Sequence, residues 1–364
     1  MILMNDFKAE PDELASAQAD ACARVIRSGW YVLGNEVKAF ESQWAAHCGA
    51  AHCIGVGNGM DAIEIGLRAL GVGPGDEVIT TPMTAFATVL AVIRTGAVPV
   101  LADIDPATGL LDPASVERCL TAKSKAVVLV HLYGQIRDMD RWTTLCRNAN
   151  LILLEDCAQS HGAAWNGRAA GRFGECGAYS FYPTKNLGTL GDGGALITDR
   201  RDLAEAASML RNYGQSKRYH HPVLGMNSRL DEMHAAILQA RLPWLDRFNA
   251  RRRDIARLYR QGIRNPKLRL LAAPMEETNH VHHLFVALCD QRDALMDHLK
   301  SRGVESQIHY PVPIHRQEPC RNISRDPKGL AHAESHAARC ISLPCHPQLS
   351  DAQAAQVIDA VNAF

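Results

Sequence analysis

Between residues 52 and 155, short apolar runs alternate with segments whose apolar residues recur at helical spacing. The runs predict strands at 52–56, 77–81, 98–103, 126–131 and 151–155, and the segments between them predict helices at 62–70, 85–95, 113–120 and 139–148. Repeated strand–helix units favour a mostly parallel sheet with helices on both faces, which is the α/β class. Such sheets bind ligands at the carboxyl ends of their strands.

The regular alternation ends after residue 198, and the rest of the chain predicts a different organisation. Further helices are predicted at 12–28, 35–47, 202–210 and, with a break near Pro243, 231–262, and further strands at 281–289 and 305–310. We therefore predict a large cofactor-binding domain over 1–245, with an N-terminal helical segment, and a smaller α+β domain over 246–364.

The composition limits the class of protein. The chain has 364 residues, of which 47% are hydrophobic and 21% are charged, and its formal net charge is zero. This is typical of a globular protein and gives no support for nucleic-acid or anionic-membrane partners. No stretch approaches the roughly 20 apolar residues of a membrane span, and no signal peptide is recognisable. We expect a cytoplasmic protein that acts on small molecules and whose eleven cysteines, none in a C-x-x-C pair, are reduced.

Lys185 lies in a glycine-rich loop between two short apolar runs within residues 177–198. Glycines let the backbone pack closely around the loop, and a lysine held just after a strand is placed to form a Schiff base. An isolated loop lysine is more often simply solvated. The choice between these interpretations depends on the neighbouring motifs.

Asp156 follows directly on the predicted strand at 151–155, at the edge where α/β sheets bind ligands. A carboxylate there can pair with the protonated ring nitrogen of pyridoxal phosphate and keep the ring electron-withdrawing. Asp156 could equally cap a helix. Gln159, three residues later, and the position of Lys185 on the next strand connection favour the cofactor interpretation.

A phosphate site is predicted where strand 52–56 breaks into Gly57-Asn-Gly-Met-Asp61 and enters a helix. Free backbone N–H groups and the positive end of the helix dipole attract phosphate at such a junction. A single G-x-G is a weak signal, because many tight turns contain it.

Aromatic residues and histidines leave two further questions open. Trp30 and Tyr31 stand in a short aromatic turn and are either core residues or a wall of the substrate site. The sixteen histidines include a group within 280–283 and a pair at 332 and 336, but no cysteine or carboxylate accompanies them in a known ligand pattern. We predict no metal site.

A set of motifs that runs in order over nearly the whole chain resembles the nucleotide-sugar aminotransferases of the DegT/StrS family. The motifs are Asn58-Gly-Met-Asp-Ala, Glu155-Asp-Cys-Ala-Gln-Ser-His-Gly-Ala, Ser180-Phe-Tyr-Pro-Thr-Lys-Asn-Leu-Gly, Gly191-Asp-Gly-Gly, Arg211-Asn-Tyr-Gly, Asn227-Ser-Arg-Leu-Asp-Glu and His309-Tyr-Pro. One motif alone would not be specific, whereas the ordered set is. The resemblance implies a fold-type I aminotransferase, pyridoxal 5′-phosphate as cofactor, and a homodimer with active sites at the subunit boundary.

The resemblance assigns three residues around the cofactor ring. Lys185 resembles the Schiff-base lysine, Asp156 the partner of the ring nitrogen, and Gln159 the side chain that packs on the ring face. Relatives often stack an aromatic residue on the ring at the position of Ala85, so the following Phe86 becomes the candidate here. The presence of Lys185 weighs against the related sugar dehydratases, which have histidine instead.

The resemblance also assigns the phosphate contacts. The hydroxyl of Ser180 and the backbone amides of Gly59 and Met60 would hold the phosphate, and Asn227 would reach the phosphate of the partner subunit's cofactor. The family commonly has threonine where this chain has Met60, so only a backbone contact is expected there.

Four residues are substrate-site candidates. His309 and Tyr310 match positions that border the sugar-nucleotide site, and Tyr31 and Arg229 are the others. The expected reaction moves an amino group from L-glutamate to a nucleotide-linked keto-deoxysugar, and the segments around residues 211 and 227 favour a 3-keto-6-deoxyhexose. A ketocyclitol aminotransferase of aminoglycoside assembly and a non-catalytic sensor that binds pyridoxal phosphate are the alternatives.

Overall fold

The computed structural model describes all 364 residues of the chain. The α-helices are α1 (Asp12–Ser28), α2 (Asn35–Cys48), α3 (Gly59–Ala69), α4 (Phe86–Arg94), α5 (Pro113–Cys119), α6 (Met139–Asn148), α7 (Arg201–Leu210), α8 (Glu232–Arg241), α9 (Leu245–Gly262), α10 (Arg292–Ser301), α11 (Ala331–Arg339) and α12 (Asp351–Asn362). The β-strands are β1 (His52–Val56), β2 (Glu77–Thr80), β3 (Val98–Leu101), β4 (Ser124–Val130), β5 (Ile152–Asp156), β6 (Ala164–Trp165), β7 (Arg168–Ala169), β8 (Cys176–Ser180), β9 (Gly194–Thr198), β10 (Leu268–Leu270), β11 (Phe285–Cys289), β12 (Ser324–Arg325) and β13 (Cys340–Leu343).

Local sequence fixes several helix ends. Helix α1 stops at Gly29, whose φ of 66° is left-handed and therefore suits glycine. Helix α3 begins at Gly59, three residues before the predicted start, because the Asn58 side chain accepts a hydrogen bond from the Asp61 amide at 2.9 Å and caps the first turn.

Eight strands form the large sheet, in the order β1-β9-β8-β5-β4-β2-β3-β12. Strand β9 runs antiparallel to both of its neighbours, and the pairs from β8 to β12 are parallel. Strand β5 lies inside the sheet, where Asp156 is in register with Val130 on one side and Ala178 on the other. The prediction of a mostly parallel sheet is confirmed.

Apolar cores cover both faces of this sheet. In β4, Val127 and Leu129 point into a core of 35 buried residues, whereas Ala126 and Val128 point into a core of 21. Because successive side chains of a strand face opposite sides, the two cores lie on opposite faces. Helices therefore pack on both sides, as predicted for an α/β protein.

The C-terminal part has its own antiparallel sheet, β10-β11-β13, and a core of 19 buried residues. Helix α9 begins at Leu245, where the predicted boundary falls. Two segments cross that boundary. Ile2 belongs to the C-terminal core and bridges Val304, and the Met4 amide donates to Glu305 at 2.8 Å. In the other direction, β12 pairs with β3 and completes the large sheet.

Of the two strands predicted in the C-terminal part, one does not form and the other is shorter than predicted. No strand forms at 305–310, where Gln307 makes only a single bridge to Ser342. The strand predicted at 281–289 begins only at Phe285, because His282 has a φ of 43°, which an extended strand cannot contain. None of the helices is both long enough and apolar enough to cross a membrane.

Candidate active site

Asp156 ends β5, and its carboxylate is buried. Thr88 donates its hydroxyl to Oδ2 at 2.8 Å, and the Ala158 amide donates to Oδ1 at 3.1 Å. Thr88 has a single hydroxyl proton, which Asp156 accepts. In the 2.8 Å hydrogen bond between the Thr84 and Thr88 hydroxyls, Thr84 is therefore the donor and Thr88 the acceptor. Burial raises the pKa of Asp156, although these hydrogen bonds and the nearby Lys185 act to lower it. The next element is strand β6, so Asp156 does not cap a helix.

Lys185 lies in the tight loop between β8 and β9. Its amide donates to the Tyr182 carbonyl at 2.8 Å, and a Cβ on Gly188 would lie 2.5 Å from the Pro183 carbonyl oxygen, so the loop closes only with glycine there. The side chain is partly accessible, yet burial lowers the pKa of Lys185 to about 8 while the charge of Asp156 acts to raise it. No ion pair joins Lys185 to Asp156. A neutral amine is therefore accessible near neutral pH.

Neutral polar groups surround the lysine loop. Asn186 donates to Asn249 at 2.7 Å, and the His283 ring nitrogen lies 3.2 Å from the Asn186 side-chain oxygen. Burial and the charge of Lys185 lower the pKa of His309 to about 4 and lower the pKa of His283 strongly. Both rings are therefore neutral near pH 7 and add no positive charge beside the amine.

The N-terminus of α3 meets the end of β8. The amides of Gly59 and Met60 start the helix and have no acceptor within the protein. A Cβ on Gly59 would lie 2.6 Å from the Cβ of Ser180, so only glycine allows this approach. The junction thus presents two free N–H groups and one hydroxyl, which is the arrangement that binds a phosphate.

Gln159 links the large sheet to the C-terminal part. Its Nε2 donates to the Tyr310 hydroxyl at 3.2 Å, and its Oε1 accepts from the Tyr133 amide at 2.6 Å. The Tyr133 hydroxyl donates to the His309 carbonyl at 2.6 Å, and the His309 ring lies 2.9 Å from the Ser342 hydroxyl. The structure therefore brings Gln159, His309 and Tyr310 together.

Four predicted site residues make no hydrogen bond to the group around Lys185, namely Tyr31, Phe86, Asn227 and Arg229. Tyr31 is 54% exposed and Phe86, the first residue of α4, is 36% exposed. Asn227 is exposed and bridges Asn212 through its backbone, and Arg229 donates to the Asn212 side chain at 3.1 Å. Hydrogen bonds within one chain therefore do not link these four residues to Lys185.

One buried group has the composition of a metal site. His131, Glu155 and Cys157 place their ligand atoms within 4.8 Å of one another. Glu155, however, already accepts hydrogen bonds from His131 at 2.8 Å and from the amides of Gly171, Phe173 and Gly174 at 2.8, 2.6 and 2.9 Å. This carboxylate supports the loop before β8 rather than offering free oxygens.

Sequence reasoning missed Thr88, Tyr133 and Asn186. Asn186 adjoins Lys185 in a recognised motif, and Thr88 lies two residues after Phe86, so nearness to those residues was the available signal. Tyr133 had only a weak signal, its place just after a strand end. Its hydrogen-bond partners are 26 and 176 residues away in the sequence, and helix or strand periodicity cannot predict contacts at such separations.

The residues fit pyridoxal phosphate. A buried carboxylate without a cationic partner would hold the ring nitrogen, a lysine of lowered pKa would bind the aldehyde carbon, and two free amides of a helix N-terminus would take the phosphate. These residues are Asp156, Lys185, Gly59 and Met60, with Ser180 beside the amides.

Comparisons with known proteins agree with this fit. Residues 12–362 match the DegT/DnrJ/EryC1/StrS aminotransferase family. The dTDP-3-amino-3,4,6-trideoxy-alpha-D-glucose transaminase of Streptomyces venezuelae is 45% identical over 99% of this chain and 95% of that protein. The Pleiotropic regulatory protein of Geobacillus stearothermophilus is 42% identical over 99% of this chain and 98% of that protein. The crystal structure of S. venezuelae DesV matches with a TM-score of 0.96 and 44% identity, over 100% of this chain and 98% of that one.

The fold, the cofactor residues and the full-length sequence match therefore agree. The fold-type I architecture is confirmed, and the enzyme depends on pyridoxal phosphate. The chain belongs to the DegT/DnrJ/EryC1/StrS aminotransferase family.

Proposed function

We propose that this aminotransferase moves the amino group of L-glutamate onto a nucleotide-linked keto-6-deoxyhexose, with the 3-keto sugar as the favoured acceptor. The observation that carries the proposal is the position of Lys185, whose pKa burial lowers to about 8, near the buried carboxylate of Asp156. With this pKa a fraction of the lysine is neutral near physiological pH, and the neutral amine can act both as a nucleophile and as a base.

The two residues have separate tasks. When bound, pyridoxal phosphate supplies an electron sink for the carbanion that forms at the reacting carbon. Asp156 would keep the ring nitrogen protonated, and Thr88 fixes the orientation of that carboxylate through its 2.8 Å hydrogen bond. The Nζ of Lys185 takes the proton from the α-carbon of glutamate and, in the second half-reaction, delivers a proton to the sugar carbon that gains nitrogen.

Neutral hydrogen-bonding groups at the rim support a sugar acceptor. Burial and the charge of Asp156 raise the pKa of Tyr310 to about 12, so its phenol remains protonated, and His309 is neutral. Such groups suit hydroxyl and carbonyl oxygens. The S. venezuelae relative is named for a 3-amino sugar on dTDP, which favours the 3-keto acceptor.

We further propose a homodimer with shared active sites. Asn227 of one chain would contact the cofactor phosphate in the other chain, and Tyr31 and Arg229 would contribute to the substrate site. Support comes from their position at accessible surface outside the hydrogen-bonded group around Lys185. Phe86 stays a proposed ring contact on α4.

Incubation of the purified protein with pyridoxal phosphate, L-glutamate and a panel of nucleotide-linked ketosugars, followed by mass spectrometry, tests the proposal. We expect 2-oxoglutarate and an aminosugar nucleotide in equal amounts, with the fastest reaction for a 3-keto-6-deoxyhexose. Amination of a ketocyclitol alone would instead support the alternative acceptor. Because one relative is named as a regulator, the glutamate half-reaction is a separate check, and no 2-oxoglutarate would contradict catalysis by this route.

A further inference from the structure

Tyr133 lies between two groups of candidate-site residues, Gln159 on one side and the dipeptide His309–Tyr310 on the other. It follows β4, is buried, and has a φ of 62°, which is left-handed and uncommon for a tyrosine. This backbone conformation points the amide at Gln159 while the ring extends toward the C-terminal part. The amide donates to Gln159 Oε1 at 2.6 Å, and the hydroxyl donates to the His309 carbonyl at 2.6 Å.

The direction of the hydrogen bonds follows from a proton count. The phenol has one proton, which the His309 carbonyl must receive because a carbonyl oxygen cannot donate. The phenol oxygen therefore accepts from the Nε2–H of His336, which lies at 2.9 Å. The Nδ1 of His336 is buried without a partner, as expected for the nitrogen that carries no proton. Burial lowers the pKa of His336 to about 4, so the ring is neutral.

Three hydrogen bonds fix the dipeptide His309–Tyr310, and the bond from the Tyr133 hydroxyl is one of them. Tyr133 holds the His309 carbonyl, Ser342 contacts the His309 ring at 2.9 Å, and Gln159 donates to the Tyr310 hydroxyl at 3.2 Å. The Tyr133 amide orients Gln159, the residue assigned to the cofactor ring. The Tyr133 hydroxyl holds the carbonyl of His309, a substrate-site candidate. Tyr133 therefore positions residues of both kinds.

We propose that Tyr133 is a positioning residue for acceptor binding, a role that rests on the proposed sugar-nucleotide site. Through its hydroxyl, Tyr133 holds His309 and Tyr310 in a fixed position relative to Gln159. It touches neither cofactor nor substrate in this role, so its loss weakens acceptor binding rather than proton transfer at Lys185.

The test variant is Tyr133→Phe, which removes only the hydroxyl. The matched control is Tyr259→Phe, since Tyr259 is also buried and donates to a buried carbonyl, that of Pro344, at 2.6 Å in the C-terminal core. For Tyr133→Phe we expect KM for the ketosugar to rise about tenfold, the size of effect that loss of one buried hydrogen bond gives. The kcat and the glutamate half-reaction should change less than about threefold.

A second readout does not depend on turnover. In hydrogen–deuterium exchange of the cofactor-loaded enzyme, peptides that cover residues 305–312 should exchange about tenfold faster in Tyr133→Phe and unchanged in Tyr259→Phe. Unchanged exchange there, or a fall in kcat with KM unaltered, would overturn the role of Tyr133. If the wild-type enzyme aminates no nucleotide-linked ketosugar, the proposed function fails, and the exchange measurement still decides whether Tyr133 holds the segment.

A further pair of variants covers the case in which Tyr133→Phe does not fold. His336→Gln keeps an N–H donor for the phenol and should retain the wild-type KM, whereas His336→Leu removes the donor and should raise it. Equal KM values for the two His336 variants would contradict the direction assigned to the hydrogen bonds.

Discussion

Lys185 and Asp156 lie close enough for each to influence the pKa of the other, yet no ion pair joins them. Burial opposes the charged form of both groups, which lowers the pKa of the lysine and raises that of the aspartate. Their mutual attraction acts in the opposite direction. The balance leaves the amine reactive near neutral pH and the carboxylate available to a cationic partner.

This balance predicts the pH dependence of cofactor uptake. Only the neutral amine reacts with the aldehyde, so the rate at which the apo-protein captures pyridoxal phosphate should rise with pH through a midpoint at about 8 and level off about one pH unit higher. Asp156→Asn removes a charge that raises the pKa of Lys185, so the midpoint should move to lower pH. Stopped-flow absorbance measures both profiles. A rate still climbing above pH 9.5 would mean that the lysine is an ordinary solvated one.

Thr88 provides a second test at this scale. Thr88→Val keeps the shape but removes the hydroxyl that donates to Asp156, and hydrogen bonds to charged groups contribute about 1.5–3 kcal/mol. We expect the glutamate half-reaction to slow about tenfold, with most of the loss restored in Thr88→Ser. The control is Thr80→Val, which loses a buried hydroxyl bonded to the Val128 carbonyl at 2.9 Å. Equal slowing in Thr80→Val would show that Thr88 acts only through stability.

Among the elements, α3 and β8 pack unusually closely at the junction proposed to bind the phosphate. Gly194 on β9 packs in the same way, because a Cβ there would lie 2.4 Å from the Asn58 carbonyl carbon. The helix N-terminus thus reaches the sheet edge only because glycines remove side chains at the contact.

Gly59→Ala tests this junction. The added Cβ would collide with Ser180, push the start of α3 away and move the Gly59 and Met60 amides, so we expect at least about tenfold weaker binding of pyridoxal phosphate. Gly73→Ala is the matched control, since its Cβ would have no atom nearer than 3.8 Å among its neighbours. Absorbance titration of the apo-proteins compares the two. Wild-type affinity in Gly59→Ala would argue against a phosphate at this helix.

Local periodicity was sufficient to predict most elements of the large sheet. Helix α6 and strand β1 have the predicted bounds, because their apolar spacing and flanking turns are encoded within the segment. The strand predicted from residue 281 failed at His282, which has a left-handed backbone and stacks its buried ring on His280 at 3.8 Å between centroids. The spacing of apolar residues in the sequence does not predict that contact.

The residues of the candidate site also differ in whether the local sequence predicts them. Lys185, Asp156 and Gly59 are identifiable because their chemistry depends on a strand end, a loop or a helix start that the sequence predicts. Thr88 and Tyr133 each act through a partner that only the folded sheet brings near, and for Thr88 the one signal was its place two residues after Phe86. Sequence motifs therefore identify groups that act on the cofactor more readily than the groups that hold them.

At the scale of the whole molecule, the proposed shared site predicts complementation between two inactive variants. Asn227→Asp places a like charge against the partner's cofactor phosphate, and Lys185→Ala removes the nucleophile. In a mixed dimer one site has both lesions and the other has neither. Random exchange should therefore restore about a quarter of wild-type activity. Native mass spectrometry verifies exchange, and no recovery despite exchange would refute a site built from two chains.

The pairing of Ile2 with Val304 and of Met4 with Glu305 has a consequence for biosynthesis. Met4 and Glu305 are 301 residues apart, so at about 5–20 residues per second a ribosome releases the second partner roughly 15–60 seconds after the first. Seven of the eight strands of the large sheet precede residue 304 and can assemble during that interval, whereas β12 follows later. The C-terminal core lacks Ile2 until that residue returns to it. A bulky fusion that holds Ile2 away from Val304 would leave this contact unmade while those seven strands were already in place.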